Sequence, residues 1–276
     1  MTRAIAFFSV LGAIFACVPA CSNAPSNNAS ATASPTTAAA LATAVPPAAS
    51  TAAASVETAV PTVAVAFTDI SGTFAETAID DEASLGIFGE TSGPFQPEAG
   101  IARGDFVRWL VTANNAYNKG DSQNQIRLAE ANEQSFVDVP PSNKNYRYIQ
   151  GVANAGIAVG VDAKHFAPDR ILTREELIAI KVPVDEGGAP QSGFTPSALK
   201  DGVKMRWAVT DLDSINPRYY ESFYADPYST SENASRVWGV FKTFHPQKTV
   251  TRAEAALALQ QIGKETAESA LKDRTQ

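Results

Sequence analysis

The sequence predicts a mainly α-helical domain built from three copies of one repeat, preceded by a leader and a charge-poor segment. Each copy carries an aspartate early on and, later, a Phe-x-Pro motif and an arginine. The arginine follows the phenylalanine of that motif by eight residues in all three copies, a regularity that is hard to obtain by chance. The pairs are Phe95 with Arg103, Phe166 with Arg174, and Phe244 with Arg252.

Residues 1–20 read as an export signal. Arg3 is followed by Ala4 to Val18 without a charge, a run shorter than the about 20 apolar residues that a bilayer span needs. Val18-Pro19-Ala20 precedes Cys21, and small residues before a cysteine resemble a bacterial lipobox. The resemblance implies that Cys21 is acylated and holds the chain on a membrane. Acylation of Cys17, cleavage without lipid, and an uncleaved anchor helix stay open as alternatives.

Residues 21–64 form a tether rich in Ala, Thr, Ser and Pro. Between Cys21 and Pro61 the only charged residue is Glu57, and the segment has no aromatic residue. It has no apolar stripe to bury, so it cannot offset the entropy lost on ordering, and we expect it to be disordered. About 40 residues of flexible chain reach on the order of 35 Å.

The charge and the metal-binding residue types exclude several classes of function. The net charge of −7 lies wholly in residues 67–276, which carry 21 basic and 28 acidic residues. A nucleic-acid-binding domain is usually basic, so we expect no nucleic-acid partner. Two cysteines and two histidines argue against a multi-ligand zinc site. We therefore expect neither a metal nor a cofactor.

The first helix of each repeat is clearest in the second copy. Apolar residues from Tyr146 to Ala155 recur at helical spacing, and Gly156 is of the type favoured just past a helix end. In the first copy the corresponding stretch ends at Gly86. In the third copy, Asp226-Pro227 interrupts the pattern. Residues 187–196, between the second and third copies, read as a flexible connector.

The second helix of each repeat is predicted to begin at the arginine. Thr173 to Glu176 and Thr251 to Glu254 have the sequence of a capping box, in which threonine and glutamate each bond the other's backbone amide. Ala102 replaces the threonine in the first copy, and a missing cap costs typically about 1 kcal/mol. The apolar residues that follow lie on one helix face.

A positive charge at the first position of a helix is mildly unfavourable, so its recurrence in three copies calls for a reason. One hypothesis is an anion pocket, made of the guanidinium and the helix-end amides. The other is that each arginine pairs with a nearby acid, such as the aspartate of its own repeat. For the aspartates, a structural role in capping the following turn or helix is favoured. The aspartates are Asp69, Asp138 and Asp211.

Taken together, these motifs resemble the S-layer homology family. The order is Phe-x-Asp, Gly-Ile, Phe-x-Pro and then Thr-Arg-x-Glu, and it is most complete from Phe136 to Glu176. It is good at residues 250–254 and partial at residues 101–105. The resemblance implies three modules in a pseudo-threefold spindle with a central helix bundle. We assign residues 65–120, 134–184 and 207–264 to the three modules.

The resemblance also implies a function and a set of site residues. Modules of this family bind acidic cell-wall polysaccharide, often pyruvylated, in grooves between prongs. We therefore expect a noncatalytic protein of the cell envelope whose partners are a secondary cell-wall polysaccharide, or a peptidoglycan-linked glycan, and a membrane. That membrane is the outer membrane, on its periplasmic side, in a diderm, or the cytoplasmic membrane, on its outer face, in a monoderm. The expected ligand-binding residues are Arg174, Arg252, Arg103, Asp138, Asp69, Asp211, Gly160 and Trp207.

Two other functions are compatible with parts of the sequence. An envelope scaffold that binds another protein through degenerate modules is the main alternative, because the first and third copies are irregular. A wall-glycan hydrolase is a weaker alternative, because the repeats occupy the folded chain and leave no separate catalytic domain. His165 and His245 lie at Phe-x-Pro motifs and are interpreted as turn residues.

Overall fold

The computed structural model describes residues 64–157 and 160–274. The leader, Cys17, Cys21 and the tether up to residue 63 lie outside these residues. The described part is mainly helical, which confirms the predicted fold class. Its core is continuous and runs through all three repeats.

The elements follow the order of the repeats. In repeat 1, strand β1 and helix α1 precede strand β2 and helix α2, and β1 pairs with β2 in parallel. Repeat 2 contributes α3 and α4, and the segment after it forms α5. Repeat 3 contributes α6, α7 and α8, and a β3–β4 hairpin and α9 complete the described chain. The bounds are β1 Ala66–Phe67, α1 Glu76–Ser84, β2 Ser92–Gly93, α2 Arg103–Tyr117, α3 Tyr146–Asn154, α4 Arg174–Asp185, α5 Pro196–Trp207, α6 Tyr220–Ala225, α7 Asn233–Trp238, α8 Arg252–Leu259, β3 Gln261–Ile262, β4 Glu265–Thr266 and α9 Ala267–Arg274.

A closed ring of backbone hydrogen bonds joins the three repeats just before helices α2, α4 and α8. The N–H of Ile101 donates to the carbonyl of Val250 (3.1 Å), and the N–H of Val250 donates to that of Leu172 (2.9 Å). The N–H of Leu172 donates to the carbonyl of Ile101 (2.9 Å) and completes the circle. All three side chains are buried. The three arginine-led helices therefore start around one pseudo-threefold axis.

Helices α1 and α3 end in the same way. Gly86 and Gly156 have φ of +79° and +70°, a left-handed conformation that residues with a Cβ rarely adopt. The N–H of Gly156 donates to Ala153 O (3.0 Å) and that of the next residue, Ile157, donates to Val152 O (2.9 Å). These two bonds define a Schellman motif, as predicted from the glycine. The equivalent bonds are Gly86 N to Ala83 O and Ile87 N to Glu82 O.

Repeat 3 departs from the other two repeats in its first helix. A 3₁₀ turn at Asp226–Tyr228 separates α6 from α7, so the predicted interruption at Asp226-Pro227 is present. The preceding helix α5 was not predicted. Thr195 Oγ1 accepts a hydrogen bond from Ala198 N, and Pro196 occupies the first turn. This Thr-Pro pair is a helix-start signal that the connector interpretation overlooked.

The last helix, α9, returns to the first repeat. It packs against α1 and α2. Arg274 donates hydrogen bonds to the carbonyls of Ser84 (3.1 Å) and Leu85 (3.0 Å), at the C-terminal end of α1. A cation at this position compensates the negative end of the helix dipole. The beginning and the end of the described chain therefore both lie at repeat 1.

Candidate functional site

The aspartate of each repeat holds the Phe-x-Pro turn of its own repeat. Its carboxylate accepts hydrogen bonds from the N–H groups of the phenylalanine and of the next residue, which has a φ of 59°, 58° or 56° in the three copies. Carboxylates are therefore used to fix a left-handed turn 26 to 33 residues away. The sets are Asp69 with Phe95 and Gln96 (2.7 and 2.8 Å), Asp138 with Phe166 and Ala167 (2.9 and 2.7 Å), and Asp211 with Phe244 and His245 (2.8 and 2.7 Å).

The arginine of each repeat reaches into the next repeat. Its guanidinium donates to the carbonyl oxygen of the phenylalanine in the next Phe-x-Pro turn, and repeat 3 returns to repeat 1. The guanidinium also lies over an aromatic ring, at 4.6–4.7 Å from the ring centroid. The bonds are Arg103 Nε to Phe166 O (3.0 Å), Arg174 Nη1 to Phe244 O (3.1 Å) and Arg252 Nε to Phe95 O (2.7 Å).

The helix-end amides have the same partners as the arginines. The N–H of Gly104 donates to Pro168 O (2.8 Å), and that of Arg103 donates to Arg170 O (2.9 Å). The amides that begin α4 and α8 donate in the same way to the Phe-x-Pro turns of repeats 3 and 1. The amides that the anion-pocket hypothesis invoked are therefore engaged within the domain. Ligand binding at these positions stays a prediction.

Each arginine also has an acidic partner in the next repeat, and not the aspartate of its own. Arg103 pairs with Glu176 (3.1 Å), and Arg174 pairs with Glu254 (3.2 Å). Both acceptors are the glutamates of capping boxes, since Glu176 accepts from Thr173 N (3.1 Å) and Glu254 from Thr251 N (2.9 Å). One glutamate thus caps its own helix and receives the arginine of the preceding repeat.

The junction between repeats 3 and 1 is more open than the other two. Arg252 pairs there with Glu90 (2.8 Å), whose side chain is 53% exposed, against 4% for Glu176 and 11% for Glu254. The position equivalent to those two glutamates is Asp105 in repeat 1, which instead bonds Asn145 (3.0 Å) and Lys144. Arg252 is therefore the arginine of the three whose acidic partner a solvent anion could most readily replace.

The other two predicted ligand-binding residues, Gly160 and Trp207, are closely surrounded by other residues of the domain. Gly160 lies in a tight turn where an added Cβ would stand 2.5 Å from the carbonyl oxygens of Asp162 and His165. Trp207 was expected to be available for sugar stacking, but it is only 9% exposed. Its ring packs 4.8 Å from Phe223 and 5.2 Å from Phe244. It forms part of the core because α5 folds it inward.

A cavity of about 580 Å³, here called the 2–3 cavity, lies between repeats 2 and 3. Among the described residues that line it, only Arg170 is basic, and its side chain is 45% exposed and pairs with Glu176. An adjoining cavity includes Lys248 and shares Ser214 and Gln247 with it. The 2–3 cavity is lined by Val161, Arg170, Glu175, Glu176, Asp213, Ser214, Ile215, Asn216, Pro217, Tyr219 and Gln247.

Glu175 connects the two walls of the 2–3 cavity. Its carboxylate accepts from the backbone N–H of Asn216 (2.9 Å) and from the side-chain amide of Gln247 (2.8 Å). Burial raises the pKa of Glu175, and these two hydrogen bonds oppose that rise. Arg218 bonds the carbonyls of Gly160 and Val161 at the rim. Sequence reasoning missed Arg170, Gln247 and Arg218, because their roles depend on the contact between repeats.

The family model for the S-layer homology domain matches residues 135–178 and 240–256. The match supports membership of the S-layer homology family. No curated protein matches the chain. S-layer homology domains bind cell-wall polysaccharide and are not catalytic, which supports a role at the cell envelope in general terms.

Two further findings concern metals and membranes. In residues 64–157 and 160–274, no cluster of His, Cys, Asp or Glu has the arrangement of a metal site. His165 instead lies beside Asp162 (2.9 Å), and His245 is the left-handed residue of its turn. Within the same ranges, no helix is long and apolar enough to cross a membrane.

Proposed function

We propose that this protein is a noncatalytic envelope anchor that binds an acidic cell-wall polysaccharide, pyruvylated or otherwise carboxylated, through its repeats. Acyl chains on Cys21 hold the other end of the chain on a membrane, with residues 21–64 as the tether. The domain would then couple the membrane to the wall. In a diderm this membrane is the outer membrane, and in a monoderm it is the cytoplasmic membrane.

The proposal rests on the positions in the sequence of the residues that line the 2–3 cavity. Val161, Arg170, Glu175 and Glu176 come from the first matched stretch, and Gln247 comes from the second. Both matched stretches thus contribute, together with residues between 213 and 219, to the lining of one cavity of the size used for small ligands, about 300–1,000 Å³. A sugar unit there would meet amide and hydroxyl groups, the exposed guanidinium of Arg170, and the carboxylates of Glu175, Glu176 and Asp213.

The charge of the domain restricts how an acidic polymer can bind. Since residues 67–276 carry 28 acidic and 21 basic residues, their overall field repels a polyanion. Binding must therefore depend on a few local cations. Arg170 and Lys248 are exposed beside the 2–3 cavity, and Arg252 has an exposed acidic partner. The buried arginines, Arg103 and Arg174, hold the walls in place.

The test is a sedimentation assay with purified wall sacculi that retain their polymer. The double variant Arg170→Ala and Lys248→Ala should lower binding by about tenfold or more, because charge-assisted hydrogen bonds contribute about 1.5–3 kcal/mol each. The buried partner Glu176 keeps Arg103 in this variant, so the fold should hold. The control Lys119→Ala with Lys272→Ala removes the same charge from exposed positions outside the cavity.

Several outcomes would contradict the proposal. Equal binding by the Arg170/Lys248 variant and the wild type would remove the cavity from the mechanism. Equal losses of sacculus binding in the test and control variants would show that binding depends on the overall charge of the domain and not on the cavity. An absence of wild-type binding to sacculi would reject wall binding altogether. The lipid anchor is tested separately by the intact mass of the mature protein, which should show acyl chains on an N-terminal Cys21.

A second candidate function is a scaffold that holds another envelope protein. It is favoured by exposed apolar side chains on and beside the inserted helix α5, namely Phe194, Met205 and Tyr228. Arg206 lies between Tyr224 and Tyr228, with its guanidinium 3.3 and 4.0 Å from the two ring centroids. Crosslinking in cells decides between the two functions, because a scaffold retains its protein partner after the wall polymer is stripped.

A further inference from the structure

A second cavity lies at the opposite end of the helix bundle from the ring of hydrogen bonds. It has a volume of about 680 Å³ and is here called the amide pocket. Helix α4 reaches both cavities, with Glu175 in the 2–3 cavity and Asp185 in the amide pocket. Ten residues of helix separate the two by on the order of 15 Å along the axis. The amide pocket is therefore distinct from the cavity of the proposed function.

Side-chain amides form the largest group of uncharged polar side chains in the lining of this pocket. Six of them come from two segments, the end of α2 with the loop that follows, and the end of α3. An amide side chain offers two N–H donors and an oxygen with two lone pairs, and it carries no charge. The six amides are Asn114, Asn118, Gln123, Asn124, Gln125 and Asn154.

The wall that bears most of these amides is fixed before any ligand arrives. Asn115 bonds the backbone of Ile126 twice, accepting from its N–H (2.7 Å) and donating to its carbonyl (2.9 Å). Asn114, which is buried, donates to the carbonyl of Asn124 (2.8 Å). The loop from Asn118 to Ile126 is thus held against α2. A wall fixed in this way binds without the ordering cost of a flexible loop.

The exposed amides keep hydrogen-bonding capacity for a ligand. Gln125 uses one donor on the carbonyl of Asn118 (2.9 Å), and Asn124 uses one on Asp121 (2.8 Å). Asn154 donates to Glu133 (3.2 Å). Each of these amides therefore retains a second N–H, together with acceptor capacity on its oxygen. Paired donors and acceptors at fixed positions match neighbouring hydroxyl groups, which both donate and accept.

The charges in the pocket do not favour an anion. The lining has two cations, Arg127 and Lys264, and three carboxylates, Asp185, Glu186 and Glu265. Arg127 also forms an ion pair with Glu133 (2.7 Å), which does not line the pocket. The three isoleucines of the lining, Ile126, Ile157 and Ile262, are nearly buried, so they offer no open apolar groove. Peptide recognition normally uses a sheet edge, an apolar groove or a charged cluster, so this lining fits a peptide less well.

We infer that the amide pocket binds an uncharged oligosaccharide, independently of the acidic polymer proposed for the 2–3 cavity. The described lining contains no aromatic residue, so sugar rings have no stacking platform and we expect a dissociation constant in the millimolar range. One chain would then contact two chemically different stretches of wall glycan. The neutral site would add to retention because the second contact is intramolecular.

The test is an NMR titration of the ¹⁵N-labelled full chain with cellotriose and with N,N′,N″-triacetylchitotriose, two uncharged trisaccharides. Millimolar binding of either should shift the amide signals of residues 114–126, 154–157 and 262–265. Gln125→Ala with Asn154→Ala, both at exposed positions, should weaken binding about tenfold or more. Ala155→Leu, also at an exposed lining position, should block the pocket by bulk without adding an aromatic ring.

The controls separate this site from the proposed function. Trigalacturonate and a neutral tetrapeptide are titrated under the same conditions and should bind at least tenfold more weakly. The Arg170→Ala and Lys248→Ala variant should keep full affinity for the neutral trisaccharides even where its sacculus binding is lost. The inference is overturned if neither trisaccharide shifts those signals, if Ala155→Leu leaves the affinity unchanged, or if the anion or the peptide binds as well as the sugars.

Discussion

Replacement of Glu82 by glutamine should change how the stability of the domain depends on pH. Glu82 is fully buried on α1, and its Oε1 lies 2.6 Å from the hydroxyl of Tyr117. That hydroxyl also lies 3.0 Å from the carbonyl oxygen of Leu259. A phenol has one hydrogen, so it cannot donate to both oxygens. A protonated Glu82 that donates to Tyr117, which in turn donates to Leu259, satisfies the whole chain of bonds.

The pKa of this carboxyl agrees with that proton assignment. Burial raises the pKa of Glu82 to about 8, from an ordinary value of 4.5, and the neighbouring charge of Asp81 adds to the rise. Between these two values the folded state holds a proton that the unfolded state has released. The contribution of Glu82 to stability is therefore fully present below pH 4.5 and is lost as the pH rises to about 8, at about 1.4 kcal/mol per pH unit.

Glu82→Gln removes this titration and keeps a side chain that can donate to Tyr117. The unfolding free energy of the variant minus that of the wild type should therefore rise by about 1.4 kcal/mol per unit between pH 5 and pH 8, then level off. Other groups also titrate in this pH range, such as Asp226, whose pKa burial raises to about 6. They are present in both proteins, so their contributions cancel in the difference between the two unfolding free energies.

Urea unfolding followed by tryptophan fluorescence at each pH measures that difference. Trp109 and Trp207 are both in the core, so the signal reports global unfolding. Glu98→Gln, at an exposed position, is the matched control for the loss of one carboxylate and is measured at the same pH values. A difference for Glu82→Gln that does not rise from pH 5 to pH 8 relative to this control would refute the proton assignment.

Three further predictions concern the junctions and turns. Arg103→Ala should destabilise the domain by about 3–5 kcal/mol in urea unfolding, because it removes a fully buried side chain, leaves the carbonyl of Phe166 without its guanidinium donor, and takes one of two cations from the buried Glu176. Asp138→Ala should cost about 1–3 kcal/mol for each amide left unsatisfied in the turn at Phe166, measured in the same way. Gly160→Ala should lower the melting temperature in calorimetry, since its Cβ would lie 2.5 Å from two carbonyl oxygens.

Each of these three predictions has its own control. Arg127→Ala removes an exposed pair and should cost less than about 1 kcal/mol, and a similar cost for Arg103→Ala would contradict the buried junction. Asp121→Ala in an exposed loop is the comparison for Asp138→Ala. Equal losses of unfolding free energy in the two variants would contradict the stabilising role of Asp138 in the turn at Phe166. For Gly160, the comparison is Gly188→Ala, where an added Cβ meets nothing within 4 Å, and equal melting temperatures would reject the steric argument.

The sequence was informative wherever a signal is local. The spacing from Phe166 to Arg174 identified the repeat because a turn and a helix start must be placed together. Thr251 and Glu254 predicted a capping box, and both of its hydrogen bonds are present, at 3.1 and 2.9 Å. Gly156 predicted the end of α3 because a left-handed φ favours glycine.

The sequence was uninformative where a partner lies in another repeat. Arg103 was expected to meet an anion or the aspartate of its own repeat, but it meets Phe166 and Glu176 across the next junction. Nothing local distinguishes these alternatives, since an arginine at a helix start suits all of them. Trp207 was judged from its neighbours in sequence, and its burial depends on how α5 packs against α6.

The ring formed by Ile101, Leu172 and Val250 also sets the number of repeats. In an open stack, the end members present unpaired faces, so a member can be added or lost there at small cost. Here Arg252 of repeat 3 donates a hydrogen bond to the carbonyl of Phe95 in repeat 1. Every repeat therefore inserts its arginine into the next repeat and accepts the arginine of the preceding one. Deleting one repeat would leave one arginine without its acceptor and one Phe-x-Pro turn without its arginine. A fourth repeat could not be added without breaking the closed ring of hydrogen bonds. The copy number of three is therefore a property of the closure itself.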